Sequence, residues 1–186
     1  MKVLFIGGTG IISTASTKLA AERGIDLTLL RRGVREADVP KDLKTITADI
    51  KEETAAANAL GKRTWDAVVD WTAFTAADVE RDIRLFRGRT NQFIFISSAS
   101  AYQKPVGHYL ITESTPLVNP YWQYSRDKIV CEERLLQAYR DEGFPVTIVR
   151  PSLTYGETQI VLAVNSWQKS YTAVDRMRRG KKVIVP

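Results

Sequence analysis

Two side chains capable of acid–base chemistry stand four residues apart in the second half of the chain, Tyr124 and Lys128. Four residues is about one helical turn, so at this spacing a phenol and an ammonium project from the same face of a helix. A positive charge close to a phenol favours the phenolate, and tyrosine then becomes usable as a proton donor or acceptor near neutral pH. The same spacing also arises by chance as a surface pair, so other parts of the chain must agree before it indicates catalysis.

A glycine-rich turn, Gly7-Gly8-Thr9-Gly10, directly follows the apolar run Val3–Ile6. Gly7 permits a tight turn and Gly10 lets the backbone approach a pyrophosphate. The amides that open a helix over residues 11–23 would point at that anion, assisted by the helix dipole. The alternative is a strand–helix turn that needs glycine only for its shape. Combined with the tyrosine and lysine, the turn predicts hydride transfer with a nicotinamide cofactor held by these residues: Gly7, Thr9, Gly10, Ile11 and Ile12.

The bulk composition is that of an ordinary globular protein. The chain has 186 residues, of which 44% are hydrophobic and 26% charged, enough for one domain with a substantial core. Its net charge of +6 suits an anionic cofactor and substrate, and equally a nucleic acid. A single cysteine, Cys131, excludes a disulfide within the chain and favours a reducing compartment. With only one histidine, His108, in a predicted loop, we expect no His/Cys zinc site.

No apolar stretch of the sequence approaches the ~20 residues that a membrane-spanning helix needs. The N-terminal apolar run is too short for the core of a signal peptide. We therefore expect a soluble cytoplasmic protein with no membrane partner.

Short apolar runs alternate with helical stretches along the first 150 residues. Runs that are continuously apolar, rather than alternating, indicate strands buried on both faces, as in a parallel sheet covered by helices. This alternation predicts a doubly wound, mostly parallel α/β sheet of the Rossmann type. The predicted strands are Val3–Ile6, Leu27–Leu30, Leu43–Thr47 (the weakest), Ala67–Val69, Phe93–Ile96 and Val146–Val149, and the predicted helices lie near 11–23, 51–60, 75–87 and 121–141.

The last part of the sequence differs from the rest. Residues 160–179 are predicted to be helical and Lys182–Val185 to begin a strand, after which the sequence ends. One helix and one strand cannot form a second core. We therefore assign residues 1–156 to a dinucleotide-binding domain and 157–186 to the start of a truncated substrate-binding region, and we expect the sequence to be a fragment of a longer protein.

The residues after the second and third strands bear on which cofactor is bound. Arg31 and Arg32 end the second strand, where NAD-selective sites usually carry a carboxylate for the ribose and arginine suits a 2′-phosphate. NADP is therefore favoured over NAD, although either arginine can instead point into solvent. Asp49, followed by Ile50, is placed to meet the adenine amino group, and it is equally suited to be the N-cap of the next helix.

In their order along the chain, these segments resemble the extended short-chain dehydrogenase/reductases, the NAD-dependent epimerase/dehydratase group that mostly acts on nucleotide sugars. The likeness covers nearly the whole chain. It consists of the glycine turn, Asp49, the serine-rich end of the fifth strand at Ser97–Tyr102, Tyr-x-x-x-Lys, and the segment Arg150–Gly156.

The resemblance implies roles for individual residues. Ser98, four residues before Tyr102, would be the catalytic hydroxyl and Tyr124 the acid/base, while Lys128 would hold the nicotinamide ribose and lower the tyrosine pKa. Further cofactor contacts implied by the resemblance are Thr72, Ala73, Pro151 and Leu153. It also implies a nucleotide-sugar substrate and a homodimer through helices 75–87 and 121–141.

The chain departs from the family pattern in several places. Ser13 stands where a third glycine is usual, and Asp70-Trp71-Thr72-Ala73 replaces a His-Leu-Ala-Ala-like run. The extra ~100 residues that commonly bind the substrate are almost missing. An alternative of another class is a non-catalytic NAD(P)-binding sensor or nucleic-acid-binding regulator on the same fold. A catalytic tyrosine has no use in such a protein, so nucleic acid is the less favoured partner.

Overall fold

A computed structural model describes residues 1–33, 38–156 and 171–183. Six parallel strands form one sheet in the order β3-β2-β1-β4-β5-β6. The strands are β1 (Lys2–Ile6), β2 (Asp26–Arg31), β3 (Lys44–Thr47), β4 (Ala67–Asp70), β5 (Phe93–Ile96) and β6 (Val146–Val149). The α-helices are α1 (Ile11–Glu22), α2 (Glu53–Leu60), α3 (Ala76–Phe86), α4 (Gln123–Glu142) and α5 (Thr172–Arg178).

The central strands are buried on both faces, as continuous apolar runs predict. In β1, Leu4 and Ile6 belong to the core on one side of the sheet, while Val3 and Phe5 belong to the core on the other side. Alternate residues of a strand point to opposite faces, so helices must cover both sides of the sheet. The doubly wound parallel fold is therefore confirmed.

All six predicted strands form, including the weakest one. β3 lies at one edge of the sheet and is largely exposed, which explains why its apolar pattern is faint. Four of the predicted helices form with ends shifted by one or two residues. Asp49 is not the N-cap of α2, because that helix begins at Glu53, after Glu52; the Asp49 side chain instead accepts a hydrogen bond from the Lys51 amide.

Only part of the C-terminal prediction can be compared with the structure. Within the predicted helix 160–179, α5 is helical, and residues 157–170 lie outside the described part of the chain. Lys181–Val183 are irregular, and the remainder of the predicted strand also lies outside the described residues.

The order in which the chain adds strands to the sheet reverses between β1 and β4. From β1 the chain proceeds outward to β2 and β3 on one side, and from β4 to β5 and β6 on the other. In open α/β sheets, ligands bind at such a switch point, beyond the carboxyl ends of the strands. The glycine turn after β1, Arg31 after β2 and the turn after β4 are all brought to this edge.

Candidate active site and dinucleotide cleft

A cleft of about 370 Å³ opens at the carboxyl edge of the sheet, where the connections that follow β1 and β4 lead to opposite sides. Eight of the predicted cofactor residues line it: Gly7, Thr9, Gly10, Arg31, Arg32, Asp49, Ile50 and Thr72. Gly8, Ser13 and Trp71 also line the cleft and were not predicted as cofactor contacts. Two of them had a signal in the sequence, since Ser13 stands at the family's third-glycine position and Trp71 precedes the predicted contact Thr72.

The glycine turn is held in a backbone conformation that favours glycine. Gly7 and Gly8 have φ angles of +94° and +102°. A Cβ on Gly7 would lie 2.9 Å from Cγ2 of Thr72, and a Cβ on Gly8 would lie 2.9 Å from Cδ2 of Leu29. Gly7 therefore permits close approach to the turn after β4, whereas Gly8 permits close packing on β2.

Ser13 takes the position of the family's third glycine without opening a gap. It is buried, and its Oγ accepts a hydrogen bond of 2.7 Å from the Gly10 amide. The next amides, those of Ile11 and Ile12, belong to the first turn of α1, where a helix has no internal partner for its N–H groups. These amides are the donors that an anion at the helix N-terminus would meet.

The side chains at the end of β2 differ in their surroundings. Nε of Arg31 is buried and has no hydrogen-bond partner, while Arg32 is exposed and its Nη1 lies 3.7 Å from Oδ2 of Asp49. Trp71, whose ring edge packs on Phe5 at 5.3 Å between centroids, also has a buried, unpaired Nε1. An unpaired buried donor is costly, so the Arg31 and Trp71 donors are candidates for contact with a ligand.

Asp70 organises the turn that forms the opposite wall. It is buried, and its Oδ1 accepts hydrogen bonds from the Thr72 amide, from the Thr72 hydroxyl at 2.8 Å and from the Ala73 amide at 3.0 Å. Three donors on one oxygen fix the turn rigidly. Thr72 consequently faces the cleft, whereas Ala73 is buried and does not line it.

Lys128 is buried rather than exposed. Its Nζ donates to the carbonyl oxygens of Ala73 at 2.6 Å and Ile96 at 2.7 Å, and lies 4.6 Å from the ring centroids of Phe74 and Phe95. Burial lowers the pKa of this ammonium to about 8. An ammonium has three donors, so one remains beyond the two carbonyl contacts.

Tyr124 shares a helix face with Lys128, as the spacing predicts, but its electrostatics differ from the expectation. The Lys128 Nζ lies 5.8 Å from the centroid of the tyrosine ring. Burial raises the pKa of Tyr124 above its usual value of 10.0, and a hydrogen bond with the Ser98 hydroxyl opposes that rise. Burial of the half-covered ring therefore leaves the pKa of Tyr124 raised, not lowered as the resemblance implies, although Lys128 lies on the same helix face.

Ser98 is the N-cap of a short 3-10 turn over Ala99–Ala101, directly after β5. Its Oγ accepts a hydrogen bond from the Ser100 amide at 3.2 Å and lies 2.9 Å from the Ser100 hydroxyl. Ser98 also lies within hydrogen-bonding reach of the Tyr124 side chain. Trp122, which precedes α4, packs its ring on Tyr124 at 4.7 Å and remains 46% exposed.

The segment after β6 approaches the site from a third side. The Pro151 carbonyl accepts a hydrogen bond from the Ala99 amide at 2.9 Å, and a Cβ on Gly156 would lie 3.7 Å from Cγ2 of Ile11. Leu153 is exposed and does not line the cleft described above.

Arg150 is tied to α4 rather than directed into the cleft. It forms a bidentate ion pair with the buried Glu132 and donates to the Tyr102 hydroxyl at 2.9 Å. Glu132 also accepts a hydrogen bond from Ser97. These contacts fasten β6 and the end of β5 to α4, the helix that carries Tyr124.

Two residues that invited catalytic interpretations have other surroundings. His108 is exposed, and its Nδ1 accepts a hydrogen bond from the Leu110 amide. Cys131 is fully buried in the core, and burial raises the pKa of its thiol to about 12. Neither residue has the environment of a nucleophile or general base at neutral pH. Among the described residues, no group of three metal-binding side chains is found.

The strand order, the glycine turn and the cleft at the switch point define a Rossmann-type α/β protein. The chain belongs to the NAD dependent epimerase/dehydratase family, whose model matches residues 3–185. The family resemblance drawn from the sequence is thereby confirmed.

Relatives with assigned names include both epimerases and reductases. The chain is 29% identical over 170 residues to a UDP-glucose 4-epimerase of Lactobacillus helveticus, covering 81% of this chain and 51% of the relative. It is 25% identical over 155 residues to a 2'-dehydrokanamycin reductase of Streptomyces kanamyceticus, covering 83% of this chain and 43% of the relative. The chain therefore spans about half the length of the curated relatives it matches.

The fold is also that of a solved epimerase. A UDP-glucose 4-epimerase from Bifidobacterium longum, in complex with NAD+ and UDP, superposes with a TM-score of 0.69 at 19% identity, over 81% of this chain and 52% of the other. No helix in the described part of the chain combines the length and apolarity needed to cross a membrane.

Proposed function

We propose that this chain forms the cofactor-binding and catalytic part of an NAD(P)-dependent oxidoreductase, epimerase or dehydratase that acts on a hydroxyl or keto carbon. The observation that carries the proposal is the meeting of Ser98 and Tyr124, beside a buried ammonium, at the same edge of the sheet as the glycine turn. Membership of a family that contains named epimerases and reductases supports this assignment.

The residues of the cleft fit a dinucleotide. Gly7 and Gly10 line the cleft without side chains, and the first amides of α1 offer donors for a pyrophosphate. Arg31, at the end of β2, has a buried, unpaired Nε that would meet the adenosine ribose, and Asp49 would offer a carboxylate to the adenine amino group. The two arginines favour a 2′-phosphate and hence NADP.

A nicotinamide bound in this cleft would accept or supply the hydride. The chain itself must handle the proton at the carbinol oxygen. Tyr124, whose pKa is raised, is protonated at neutral pH and is therefore prepared to donate to a carbonyl oxygen as that oxygen gains charge. Ser98 donates to the same oxygen and stabilises the charge.

Lys128 contributes through position and charge. Its two carbonyl contacts hold it beside the tyrosine ring, and its third N–H would be available to the cofactor ribose. At pH 7 a group with a pKa of about 8 is mostly protonated, so the positive charge is present when Tyr124 gives up its proton.

The substrate proposed is a sugar nucleotide or related carbohydrate. Support comes from a relative named for the epimerisation of UDP-glucose and from a structural neighbour that contains UDP. The exposed rings of Trp122 and Phe74 beside Tyr124 offer a surface on which a sugar can stack. Substrate choice depends on residues beyond those that form the cofactor cleft.

We also propose that the protein is cytoplasmic and that it forms a homodimer through α3 and α4. Sedimentation tests the dimer. The two helices pack side by side. Ion pairs join charged residues on or next to them within the chain, such as Arg134 with Glu80 and Arg87 with Glu142. A sedimentation mass of one chain at micromolar concentration would count against the dimer.

Calorimetric titration with NADP and with NAD tests the cofactor assignment. We expect micromolar binding of at least one, with NADP preferred. Replacement of Arg31 by Asp should weaken NADP relative to NAD by about tenfold or more, because a hydrogen bond to a charged group contributes ~1.5–3 kcal/mol. Arg23→Asp, at the far end of α1, is the matched control and should leave both affinities unchanged. Failure of both cofactors to bind would refute the proposed function.

One observation favours a second candidate. The exposed cations Arg176, Arg179, Lys181 and Lys182 cluster near the C-terminal end of the described residues, and the full sequence has a net charge of +6. A nucleic-acid-binding regulator would use such a patch, and its affinity for RNA would fall steeply with salt. Measured RNA binding that is weak, or independent of salt, would remove this candidate.

A further inference from the structure

A chain of hydrogen-bonded polar side chains leads from Ser98 to Asn119. The Ser98 hydroxyl lies 2.9 Å from that of Ser100, which lies 2.8 Å from the Ser125 hydroxyl. Beyond these, the Asn119 side chain donates to Ser125 at 3.3 Å. Ser125 and Asn119 are buried, so bulk water does not compete for these hydrogen bonds. None of the three residues behind Ser98 has a role in the proposed proton transfer.

The orientation of the Asn119 amide is fixed by backbone groups on both sides. Its Oδ1 accepts from the Tyr121 amide at 3.1 Å, and its Nδ2 donates to the Ser100 carbonyl at 2.8 Å. A flipped amide would place a donor against an N–H and an acceptor against a carbonyl. The second N–H of Asn119 must therefore be the one that points to Ser125.

This fixed end determines the direction of each bond that follows. Because the Ser125 hydroxyl accepts from Asn119, its own proton goes to the Ser100 Oγ. The Ser100 hydroxyl in turn donates to the Ser98 Oγ, which also accepts from the Ser100 amide. With two donors directed at its oxygen, Ser98 has its proton left for another partner, such as Tyr124.

We propose that Asn119, Ser125 and Ser100 are positioning residues that hold the Ser98 hydroxyl as a donor towards Tyr124 and the substrate oxygen. This role rests on the acid–base function proposed above, and it deepens that function. Hydrogen bonds arranged in one direction polarise one another, so the terminal hydroxyl becomes a better donor than an isolated serine. The chain also removes the freedom of Ser98 to accept a proton from Tyr124, which would oppose transfer to a substrate.

The pKa of the Tyr124 phenol reports the direction of the Ser98 hydroxyl without any need for a substrate. It is measured by carbon NMR on protein labelled at the tyrosine ring, with the Tyr124 signal assigned by its loss in Tyr124→Phe. Lys128, the charged group facing this ring, is untouched by the serine variants. Ser98→Ala should raise the pKa, because the hydrogen bond that opposes the effect of burial is lost.

The decisive variant is Ser100→Ala. It should shift the pKa of Tyr124 upward in the same direction as Ser98→Ala, because Ser98 then regains its freedom to turn. Ser100→Thr, which keeps the hydroxyl, should restore the wild-type value. The control Ser114→Ala, an exposed serine in the loop, should change nothing. The test does not depend on Ser125→Ala, a variant that circular dichroism would show to be unfolded if it fails to fold. The comparison of Ser100→Ala with Ser100→Thr decides in either case.

A wild-type pKa in Ser100→Ala, with a raised one in Ser98→Ala, would overturn the proposal and leave these residues as packing alone. Cofactor titration of the same samples separates this proposal from the proposed function. An upward shift in Ser100→Ala without binding of either NAD or NADP would support the directed chain while refuting the enzyme. Binding of NAD or NADP with no pKa shift in Ser100→Ala would overturn the directed chain and leave the proposed function standing.

Discussion

Replacement of the buried Lys128 by Met should change the way that stability depends on pH. Burial lowers the pKa of this lysine from 10.5 to about 8. At about 1.4 kcal/mol per pKa unit, the folded protein carries a penalty of about 3 kcal/mol for keeping the ammonium charged. Methionine keeps the apolar stem and removes both the charge and this penalty.

The same substitution removes the donor of two hydrogen bonds. The carbonyls of Ala73 and Ile96 then lose a partner, at a cost of ~1–3 kcal/mol each. The loss and the gain are of similar size, so the difference in unfolding free energy at pH 7 should be small, within about 3 kcal/mol. The variation of that difference with pH is therefore the more informative quantity.

The sign follows from the protons bound in each state. Below about pH 8 the lysine is charged in both the folded and the unfolded chain, and stability does not depend on its titration. Between about pH 8 and 10.5 the unfolded chain still binds the proton while the folded chain has lost it. Wild-type stability should therefore rise through this range, with a limiting slope of about 1.4 kcal/mol per pH unit, whereas Lys128→Met lacks this contribution.

Urea unfolding at half-unit steps from pH 7 to 10.5 measures this difference. We expect the wild type to gain about 3 kcal/mol relative to Lys128→Met across the range. Cys131, with its pKa raised to about 12, destabilises both proteins alike as the unfolded thiol ionises, and it largely cancels in the difference. Lys41→Met, at an exposed position, should run parallel to the wild type. If the curves of the wild type and Lys128→Met are parallel, the buried ammonium is not perturbed as the structure indicates.

Two further predictions concern the glycine turn and a buried acid. Gly8→Ala should lower the unfolding free energy by about 2–5 kcal/mol, because φ is +102° and the new Cβ would lie 2.9 Å from a buried leucine. Gly24→Ala, with φ of +67° and open space around it, should cost only about 1–2 kcal/mol, and equal losses in urea would contradict this explanation. Burial raises the pKa of Asp82 well above 3.8, and the neighbouring carboxylate Asp70 adds to this rise. The contribution of Asp82 to stability is therefore complete below about pH 4 and is lost as the pH rises towards the pKa of Asp82 in the folded protein. Asp82→Asn cannot ionise, so its unfolding free energy relative to the wild type should increase from pH 4 to 7, and a constant difference would exclude the raised pKa.

The strands could be predicted from the sequence because burial on both faces leaves a local signature. Each of the runs Val3–Ile6 and Phe93–Ile96 is apolar throughout, and no knowledge of its neighbours is needed. The start of α2 was misplaced because Asp49 has the residue type of an N-cap. In the structure its carboxylate is occupied by the Lys51 amide and lies near Arg32.

The cofactor cleft was predictable where the contacts are local in sequence. Gly7 and Gly10 act through the turn in which they lie. Gly8 was missed because its role depends on the packing of β2 against the turn, which only the register of the sheet reveals. The hydrogen-bond chain from Asn119 to Ser98 joins residues up to 25 positions apart, and no spacing rule brings these hydroxyls together.

The charge on Lys128 is best understood together with the acids beneath the turn after β4. The guanidinium of Arg81 contacts the carboxyl groups of three acids, Asp70, Asp78 and Asp82. Asp70 and Asp78 also favour the charged form of Lys128. Three carboxyl groups face two cations here, and Asp82, which is fully buried, is the acid whose pKa burial and the neighbouring Asp70 raise.

The turn held by Asp70 links this balance to both halves of the proposed site. Thr72 forms the wall against which the glycine turn closes, and the Ala73 carbonyl anchors Lys128. The departure from the family's His-Leu-Ala-Ala-like run is therefore more than a change of pocket lining. It replaces a neutral or weakly basic side chain with a buried carboxylate, and Arg81 compensates for that charge within the same core. A substitution at Asp70 alone would leave Arg81 with less counter-charge and the turn without its acceptor. It would therefore disturb both the Thr72 wall of the cleft and the carbonyl that holds Lys128.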